Sequence, residues 1–405
     1  MKNICLLFGL YPKEDEQFFY ENCKTLQNAA NALMWGYIEG LKQYEGEVTV
    51  LNMPMIPSYP DLSNIYRLKG YSFNISPNIK CTNLPYYNLV YYKYYSMYYH
   101  ARKNLKKWYR QSQNNRTVVV YGQYSPWLNA AYSVKKKYGD LRIINIIPDV
   151  PQFLGFGKSL RYKILRNVNK RIVDKGIKCI DAYVLLSKYM TEVVPMNGKP
   201  WKVVEGIYNS NHKPKMPQSV PDVFSQGKKI VLYTGDLTDI YGVKELVDAF
   251  HRLERTDSAL VICGNGNSRE YIKSLAETDH RIHYLGLVER DTVLYMQQNA
   301  TLLVNPRNSE GEYTKYSFPS KTMEYLSSGT PVLMSKLPGV PDEYFTYCFA
   351  TDIITEDILY TEMNRILSMD NEILSSKGEE ARQFILEQKN PTMQCKKLIE
   401  LINKL

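Results

Sequence analysis

Two cations and a carboxylate lie within residues 305–333, and their types and spacing suit the binding of phosphate and ribose. Arg307 precedes a predicted helix, and Lys321 falls in the first turn of that helix. A helix start presents free backbone N–H groups and the positive end of the helix dipole, so an anion binds there readily. Glu324 follows one turn later and could accept hydrogen bonds from ribose hydroxyls beside the phosphate. These residues predict a nucleoside diphosphate site.

The flanking pattern predicts a strand, a loop and a helix that would position these side chains. Residues 301–305 form a short apolar, β-branched run, which is typical of a strand buried on both faces. Ser317 is predicted to cap the helix, and Pro319 to occupy its first position, where a missing N–H costs nothing. Residues 328–329 (Ser-Gly) would end the helix before the next apolar run at 331–333.

This segment resembles the nucleotide-sugar site of retaining glycosyltransferases with the GT-B fold, in the large bacterial polysaccharide and cell-wall group (glycosyl transferases group 1 type). That family usually carries two glutamates at a fixed spacing in this loop and helix. Glu324 stands where the second belongs, and Ser317 and Phe318 match the residues after the first. Tyr316 replaces the first glutamate, and Pro319 replaces the usual glycine.

The resemblance implies an α/β protein with the GT-B fold, in which two Rossmann-like doubly wound parallel-sheet domains face each other across a cleft. It implies transfer of a sugar from a nucleotide-diphosphate donor, expected to be a UDP-sugar, to a glycan or lipid-linked saccharide with retention of configuration. The nucleotide sugar would be a substrate, and neither a cofactor nor a metal is expected. The alternative is a non-catalytic GT-B-like partner of an active glycosyltransferase, since the first glutamate is missing.

The resemblance also assigns the donor contacts. The family usually carries Arg after the glycine matching Gly235 and Lys before the glycine matching Gly242, where this chain has Asp236 and Tyr241. Arg307 and Lys321 are therefore predicted to supply the catalytic charge. The predicted donor-binding residues are Gly235, Lys244, Gly264, Gly286, Leu287, Tyr316, Ser317, Phe318, Pro319, Ser320, Lys321 and Glu324.

The domain boundaries follow from composition and from the repeated order of strand, glycine turn and helix. Residues 1–208 are predicted to form an N-terminal acceptor-binding Rossmann-like domain, and 209–228, rich in Pro, Asn, Lys and Ser, a linker. Residues 229–388 show the repeated order that predicts a doubly wound parallel sheet, which would bind the nucleotide sugar. By the resemblance, a helix in 389–405 crosses back to the first domain. Residues 18–44 are predicted to form one long helix.

Two positions in the first domain follow predicted strands and are candidates for the acceptor side. Gly9 stands at the turn after the first strand, where a ligand could approach closely, although an ordinary tight turn explains it equally well. Asp149 follows the apolar run 141–147, in a region that faces the acceptor in the resembled family. It is the predicted acceptor-side catalytic residue, while a turn-capping role remains open.

Charge is divided unevenly along the chain. Residues 1–200 carry 28 Lys and Arg against 13 Asp and Glu, and residues 201–405 carry 23 against 28. Residues 83–108 are crowded with tyrosine ahead of a Lys/Arg cluster, and 158–178 form a basic amphipathic helix beginning near Lys158. Simple packing, attachment to anionic membrane and base stacking all remain open for these segments. The favoured expectation is peripheral contact with an anionic membrane and no nucleic acid partner.

The cysteines and the N-terminus bear on location. Seven cysteines without a CxxC pair favour reduced thiols in a cytosol over disulfides or a zinc site. The apolar run at 4–9 is too short to span a bilayer, and no charged region or cleavage site marks a signal peptide. The expected location is cytoplasmic, with attachment to the inner face of the plasma membrane.

Overall fold

The computed structural model describes residues 3–112, 115–150, 160–210, 216–217, 219–309 and 311–405, with backbone alone for 160–168. The chain divides into two units. The first unit comprises Met1–Ile207 and Pro391–Leu405, and the second comprises Tyr208–Asn390. The first unit thus holds two stretches of chain that are distant in sequence.

An eight-stranded sheet forms the centre of the first unit. The strands of this unit are β1 (Asn3–Phe8), β2 (Val48–Asn52), β3 (Arg67–Leu68), β4 (Tyr71–Ser76), β5 (Ile79–Asn83), β6 (Tyr86–Tyr87), β7 (Arg116–Tyr121), β8 (Arg142–Ile147), β9 (Ala182–Leu185) and β10 (Trp201–Val203). The sheet order is β10-β9-β8-β7-β1-β2-β5-β4, with β3 and β6 paired separately. All neighbours in the sheet are parallel except β4 and β5. The β4–β5 hairpin has no counterpart among the predicted elements.

Helices cover this sheet, and one of them corrects the sequence prediction. They are α1 (Glu16–Asn22), α2 (Asn28–Leu41), α3 (Tyr92–Gln111), α4 (Ser125–Tyr138) and α5 (Leu160–Lys178). The single long helix predicted over 18–44 is wrong, because the chain breaks between α1 and α2. There Cys23 forms a β-bridge with Ser63, and the Gln27 N–H donates to the Tyr11 hydroxyl at 3.0 Å. These tertiary contacts outweigh the local helical pattern.

The second unit is a doubly wound sheet of six parallel strands. They are β11 (Lys229–Asp236), β12 (Ser258–Asn265), β13 (Ile282–Gly286), β14 (Leu302–Asn305), β15 (Val332–Ser335) and β16 (Phe349–Thr351). Their order is β13-β12-β11-β14-β15-β16. The helices are α6 (Val243–His251), α7 (Arg269–Thr278), α8 (Arg290–Asn299), α9 (Ser320–Leu326), α10 (Glu356–Leu367) and α11 (Asn371–Gln388). The predicted strands are confirmed with end shifts of about two residues.

Alternate side chains along the second sheet enter two separate cores, as expected for a sheet covered on both faces. Val231 and Leu260 belong to one core, whereas Leu232 and Val261 belong to the other. The segment 209–228, predicted as a linker, lies in the second unit, and its Val223 is buried in one of these cores.

The last helix, α12 (Pro391–Lys404), packs on α2 and β10 in the first unit. Gly40 on α2 permits this approach, since a Cβ there would lie 2.2 Å from the Pro391 carbonyl oxygen. The Gln394 amide donates to the Gly206 carbonyl at 2.8 Å, and the Cys395 thiol donates to the Tyr37 carbonyl. These contacts group residues 391–405 with the first unit.

The described part of the chain contains free thiols, no cluster of metal ligands and no helix able to span a bilayer. All seven cysteines are free thiols. The described residues contain no group of three or more His, Cys, Asp or Glu side chains arranged to hold a metal ion. None of the described helices combines the length and apolar character needed to cross a bilayer.

Candidate active site

The side chain of Lys321 packs directly against the end of strand β11. Gly235 has φ 152°, a conformation that L side chains rarely adopt. A Cβ atom on residue 235 would stand 1.3 Å from the Lys321 Nζ atom. The ammonium therefore occupies the space that a side chain at position 235 would take, directly against the glycine turn.

Tyr325 places Lys321 there. Its hydroxyl accepts a hydrogen bond from the Thr234 N–H at 2.8 Å and donates to the Thr234 carbonyl at 3.1 Å. Tyr325 is fully buried, and it attaches α9 to the end of β11 through one peptide unit. Lys321 lies four residues earlier, about one helical turn, on the same face of α9. The hydroxyl contact therefore sets the position of the ammonium.

The Lys321 ammonium lies over an aromatic ring. It is 4.7 Å from the Tyr233 ring centroid and 3.4 Å from the Tyr233 hydroxyl. Within the described part of the chain, no carboxylate oxygen comes within ion-pairing distance of it. The pKa of Lys321 is lowered to about 8, mainly by burial; the Glu324 and Asp236 charges oppose this shift, and the Arg307 charge adds to it. The group is thus a shielded cation without a partner anion.

Arg307 is the second cation at this edge of the sheet. Its guanidinium lies 5.6 Å from the Tyr241 ring centroid and 5.0 Å from the Tyr313 ring centroid. Its buried Nε atom has no hydrogen-bond partner, and the Ser335 hydroxyl donates to its carbonyl at 2.6 Å. The structure thus brings together the two cations that the sequence predicted.

Glu324 belongs to a short polar chain. The Gln297 side-chain amide donates to Glu324 Oε1 at 2.8 Å and to the Thr234 hydroxyl at 3.0 Å. The Arg290 guanidinium lies 3.8 Å from Glu324 Oε2, and 29% of the Glu324 side chain remains exposed. Thr330 fixes Gln297 from the other side by donating to its carbonyl at 2.6 Å. The carboxylate is therefore oriented by protein groups and still reaches solvent.

Two more glycine turns border the site. A Cβ on Gly264 would lie 1.7 Å from the Gly235 carbonyl oxygen, so these two turns pack directly on each other. The Tyr284 hydroxyl donates to the Gly264 carbonyl at 3.0 Å. Gly286 has φ 68°, and Leu287 after it is 80% exposed. The absence of a side chain at Gly264 thus permits the close approach of the Gly235 turn.

Lys244 does not join the two cations. Its ammonium forms an ion pair with Asp239 at 2.9 Å and lies 5.6 Å from the Tyr271 ring centroid. Asp239 also accepts from the Ser268 hydroxyl and from the Asn267 amide. The Lys244 charge is thus already matched by a carboxylate, whereas the Lys321 charge is not.

The loop before α9 differs from its sequence prediction. Ser317 does not cap the helix: its hydroxyl donates to the Tyr313 carbonyl at 3.2 Å, and Pro319 holds the N-cap position instead. The helix therefore begins at Ser320, one residue later than predicted, and runs for seven residues. Tyr316 is 5% exposed, and the Phe318 ring packs on Tyr344 at 5.4 Å. Tertiary packing of the loop displaces the local capping pattern.

Several residues of the site lie outside the sequence prediction. Tyr233, Tyr313 and Gln297 hold Lys321, Arg307 and Glu324 in place. The sequence could have indicated Tyr233 as a site residue, because it stands two residues before a glycine at the end of a strand. Gln297 carried none, because it lies in the unremarkable helix α8.

The first unit has its own pocket at the carboxyl edge of its sheet. The pocket has a volume of about 1040 Å³, and its lining includes Tyr121, Asp149 and Lys170. Asp149 is exposed to the open pocket, yet burial by the surrounding protein raises the pKa of its carboxyl above the ordinary value. Gly9 lies outside the pocket, since a Cβ there would meet Met55 at 2.2 Å and Trp127 at 2.8 Å. The close approach at Gly9 is thus made by the protein itself.

The basic helix and the tyrosine-rich segment fall partly within the described residues. Lys158 lies outside them, and so do the side chains of Arg161, Lys163 and Arg166. The tyrosines of α3 are largely exposed, with Tyr95 60% and Tyr99 51% accessible. Trp108 and Tyr109 of the same helix are buried, so packing accounts for its C-terminal rings and not for the exposed tyrosines.

Solved structures of known proteins share this fold over the whole chain. Sucrose-phosphate synthase from Thermosynechococcus elongatus superposes with a TM-score of 0.62 at 15% identity, covering 100% of both chains. The E. coli trehalose-6-phosphate protein bound with UDP-2-fluoro glucose gives 0.64 at 10% identity, covering 100% and 99%. Anabaena HepE in complex with UDP gives 0.60 at 12% identity, covering 100% of each. At such identities the likeness establishes the fold, and the predicted GT-B fold is confirmed.

The sequence matches are confined to parts of the chain. Residues 218–348, which include Gly235, Arg307 and Lys321, match the family described as Glycosyl transferases group 1. A protein of Methanocaldococcus jannaschii described as an uncharacterized glycosyltransferase is 32% identical over 117 residues, which are 28% of this chain and 28% of that protein. The second unit therefore carries a glycosyl transferases group 1 domain.

Proposed function

We propose that the protein is a retaining glycosyltransferase that moves a sugar from a nucleotide-diphosphate donor, a UDP-sugar, to a glycan or lipid-linked saccharide. The observation that carries this proposal is the Lys321 ammonium lying against the Gly235 turn with no carboxylate partner among the described residues. A shielded cation of this kind matches a dianionic diphosphate. The group 1 domain, and the UDP and UDP-sugar bound by proteins of the same fold, support the choice of donor.

Each part of the nucleotide-sugar donor has a candidate partner in the second unit. The diphosphate would lie between Lys321, Arg307 and the backbone at Gly235. The ribose hydroxyls would donate to Glu324, whose orientation is set by Gln297. The base would contact the turn at Gly286 and Leu287, where an apolar side chain is freely exposed.

The proposed chemistry needs charge stabilisation at the leaving group. As the bond between the sugar C1 atom and the diphosphate oxygen breaks, negative charge grows on the nucleoside diphosphate, and fixed cations stabilise it without reorganising. The acceptor hydroxyl oxygen then bonds to C1 from the face that the phosphate leaves, and its proton passes to a phosphate oxygen. Lys321 and Arg307 supply the charge that a metal would otherwise provide, so EDTA is expected to leave the rate unchanged.

The acceptor is proposed to bind in the pocket of the first unit that contains Asp149. Burial raises the pKa of this carboxyl, and its two oxygens can accept hydrogen bonds from sugar hydroxyls. Tyr121 lines the same pocket and has a buried hydroxyl without a partner. A saccharide, which offers many hydroxyl groups, fits such a surface.

We place the reaction at the cytoplasmic face of an anionic membrane, in the synthesis of a polysaccharide or cell-wall glycan. Helix α3 carries one stripe of tyrosines followed by cations at spacings of three and four residues: Tyr92, Tyr95, Tyr99, Lys103, Lys106 and Arg110. The helix has no acidic residue, and the rings of Tyr66, Tyr87, Tyr92 and Tyr95 form a continuous chain of contacts. Amphipathic rings beside lysines and arginines suit the interface of an anionic bilayer.

Vesicle sedimentation tests this placement. Vesicles that contain phosphatidylglycerol should bind the protein, and vesicles of phosphatidylcholine alone should not. The double variant Lys103→Glu/Lys106→Glu should bind at least about 30-fold more weakly, at about 1 kcal/mol for each lysine. Lys396→Glu, an exposed control on α12, should bind normally. Equal binding to both vesicle types, or binding to oligonucleotides alone, would contradict it.

The function itself is tested first by thermal stabilisation with UDP-, GDP- and ADP-sugars, because binding raises the melting temperature without knowledge of the acceptor. A UDP-sugar should give the largest shift. Transfer or hydrolysis is then followed by NMR, in which the anomeric coupling reports retention. Binding without any turnover would favour the non-catalytic partner, and no stabilisation by any nucleotide sugar would overturn the proposal.

A further inference from the structure

A buried lysine in the first unit has no role in the chemistry above. Lys93, in the first turn of α3, is 6% exposed. Its ammonium donates to the Ile56 carbonyl, and within the described residues no carboxylate pairs with it. Lys389, the other fully buried lysine of the described chain, is paired with Glu343. Lys93 is therefore a buried cation that lacks the anion such a group ordinarily has.

Support for the Ile56 carbonyl does not explain this cation. An ammonium has three donors, and one neutral donor would satisfy the carbonyl without the cost of burying a charge. Burial lowers the pKa of Lys93 to about 8, so the group still carries its proton near neutral pH. The remaining donors are available to an anion from outside the protein.

The surroundings of Lys93 are those of a small anion site. It lines a pocket of about 240 Å³ that also contains Thr25, Gln27 and Ser58, whose side chains can donate hydrogen bonds. No carboxylate lies among the described residues of the lining. A pocket with donors, one cation and no acid favours a negatively charged group. Its size suits a phosphate or a carboxylate rather than a whole nucleotide.

This small pocket continues into the larger pocket that contains Asp149, since Gln27, Met55 and Tyr124 line both. Residues that follow β2 and β7 line both pockets, and residues that follow β8 line the larger one. One ligand can therefore place its hydroxyls in the larger pocket and an anionic group at Lys93.

We propose that Lys93 forms an anion subsite for a phosphate or carboxylate carried by the acceptor, so that the acceptor is a charged saccharide rather than a neutral one. The proposal rests on the transferase function above for the identity of the ligand as an acceptor. Anion binding at Lys93 is measurable without donor or turnover, so the two can fail separately.

The test uses the full chain in calorimetric titrations. Glucose 6-phosphate should bind at least about tenfold more tightly than glucose, which lacks the anion. Lys93→Met should remove this difference, whereas Lys80→Met, an exposed control on β5, should keep it. Ser58→Ala is a milder second variant, expected to weaken the phosphate ligand roughly threefold. An unchanged circular dichroism spectrum and a single thermal unfolding transition report that each variant is folded.

Two further ligands identify the source of the anion. Glucuronate tests a carboxylate, and farnesyl phosphate tests a lipid-linked phosphate. Tighter binding of either one, abolished by Lys93→Met, supports the subsite and names its class. Equal binding of glucose and all three anions would overturn the inference, and so would unchanged anion binding by folded Lys93→Met. Failure of the wild-type protein to bind any UDP-sugar would instead count against the transferase function.

Discussion

The Lys321 ammonium lies 1.3 Å from the point where a Cβ atom on Gly235 would stand. The glycine is thus required twice, once for its backbone conformation and once for the space that the lysine fills. The two residues are far apart in sequence, yet together they form the positively charged floor of the site. Neither one defines the site without the other.

Gly235→Ala is expected to abolish nucleotide-sugar binding, because the added methyl group displaces the ammonium. It should also destabilise the fold by about 1–3 kcal/mol through backbone strain. Gly227→Ala is the matched control, since its φ is also positive but nothing lies within 4 Å of the added carbon. It should cost roughly 1–2 kcal/mol and leave binding intact. Thermal denaturation with and without UDP measures both, and normal UDP affinity in Gly235→Ala would contradict the assignment.

Lys321→Met should lower turnover by about 10²-fold or more, because one preorganised donor to the developing charge is lost. Its stability should hold or rise, since an apolar side chain replaces a buried unpaired charge. The exposed Lys396→Met serves as the control and should behave as wild type. If Lys321→Ala and Arg307→Ala each leave turnover within about twofold, the charge assignment is wrong.

Donor affinity should fall as pH rises above about 8, because burial lowers the pKa of Lys321 to about 8 and the ammonium then loses its proton. Stability of the donor-free protein should change in the opposite direction. Between about 8 and the ordinary lysine value of 10.5, the unfolded chain holds a proton that the folded chain has released, so this group adds stability as pH rises.

The contribution of Lys321 is isolated by comparing the pH dependence of the unfolding free energy in wild type and in Lys321→Met. The comparison is needed because Lys93 titrates in the same range. Calorimetric UDP titrations and urea unfolding at several pH values measure the two effects. Lys321→Arg should move the fall in affinity to higher pH because a guanidinium keeps its charge. A UDP affinity that does not change with pH in the wild type would refute the role of this ammonium.

Tyr325→Phe is expected to destabilise the second unit by about 1–3 kcal/mol, because the Thr234 N–H and carbonyl lose their shared partner in a buried place. Donor affinity should fall as well, since the start of α9 is no longer attached to β11. Tyr347→Phe is the control, because this half-buried ring stacks on Phe384 at 4.3 Å. Unfolding midpoints and UDP titrations provide the measurement, and unchanged values for both would show that α9 is positioned by other contacts.

The aromatic and basic surface of α3 illustrates where sequence periodicity succeeds and where it stops. The spacing of Tyr95, Tyr98 and Arg102 predicts that they share one helix face, because that depends only on the helical repeat. The ring contacts from Tyr66 and Tyr87 to Tyr92 depend on strands β3 and β6, which the local pattern does not reveal.

The sequence by itself determined the α/β class, the central apolar strands of both sheets and the glycine turns at their ends. Runs such as 117–121 and 229–234 are apolar and β-branched, and such runs form buried strands whatever their neighbours are. Arg307, Lys321 and Glu324 were recognisable for the same reason, since their chemistry is visible in their types and spacing.

Only the tertiary structure decided which of these groups act together. The Tyr325 hydroxyl meets Thr234 across 91 residues of sequence because β11 lies beside β14 in the sheet, and no local pattern encodes that neighbour. The same holds for Lys244, which is paired with Asp239, and for Lys93, whose burial comes from the segment around Ile56. Long-range burial and pairing determine which charge is free to bind a ligand, and these exist only once the chain is folded.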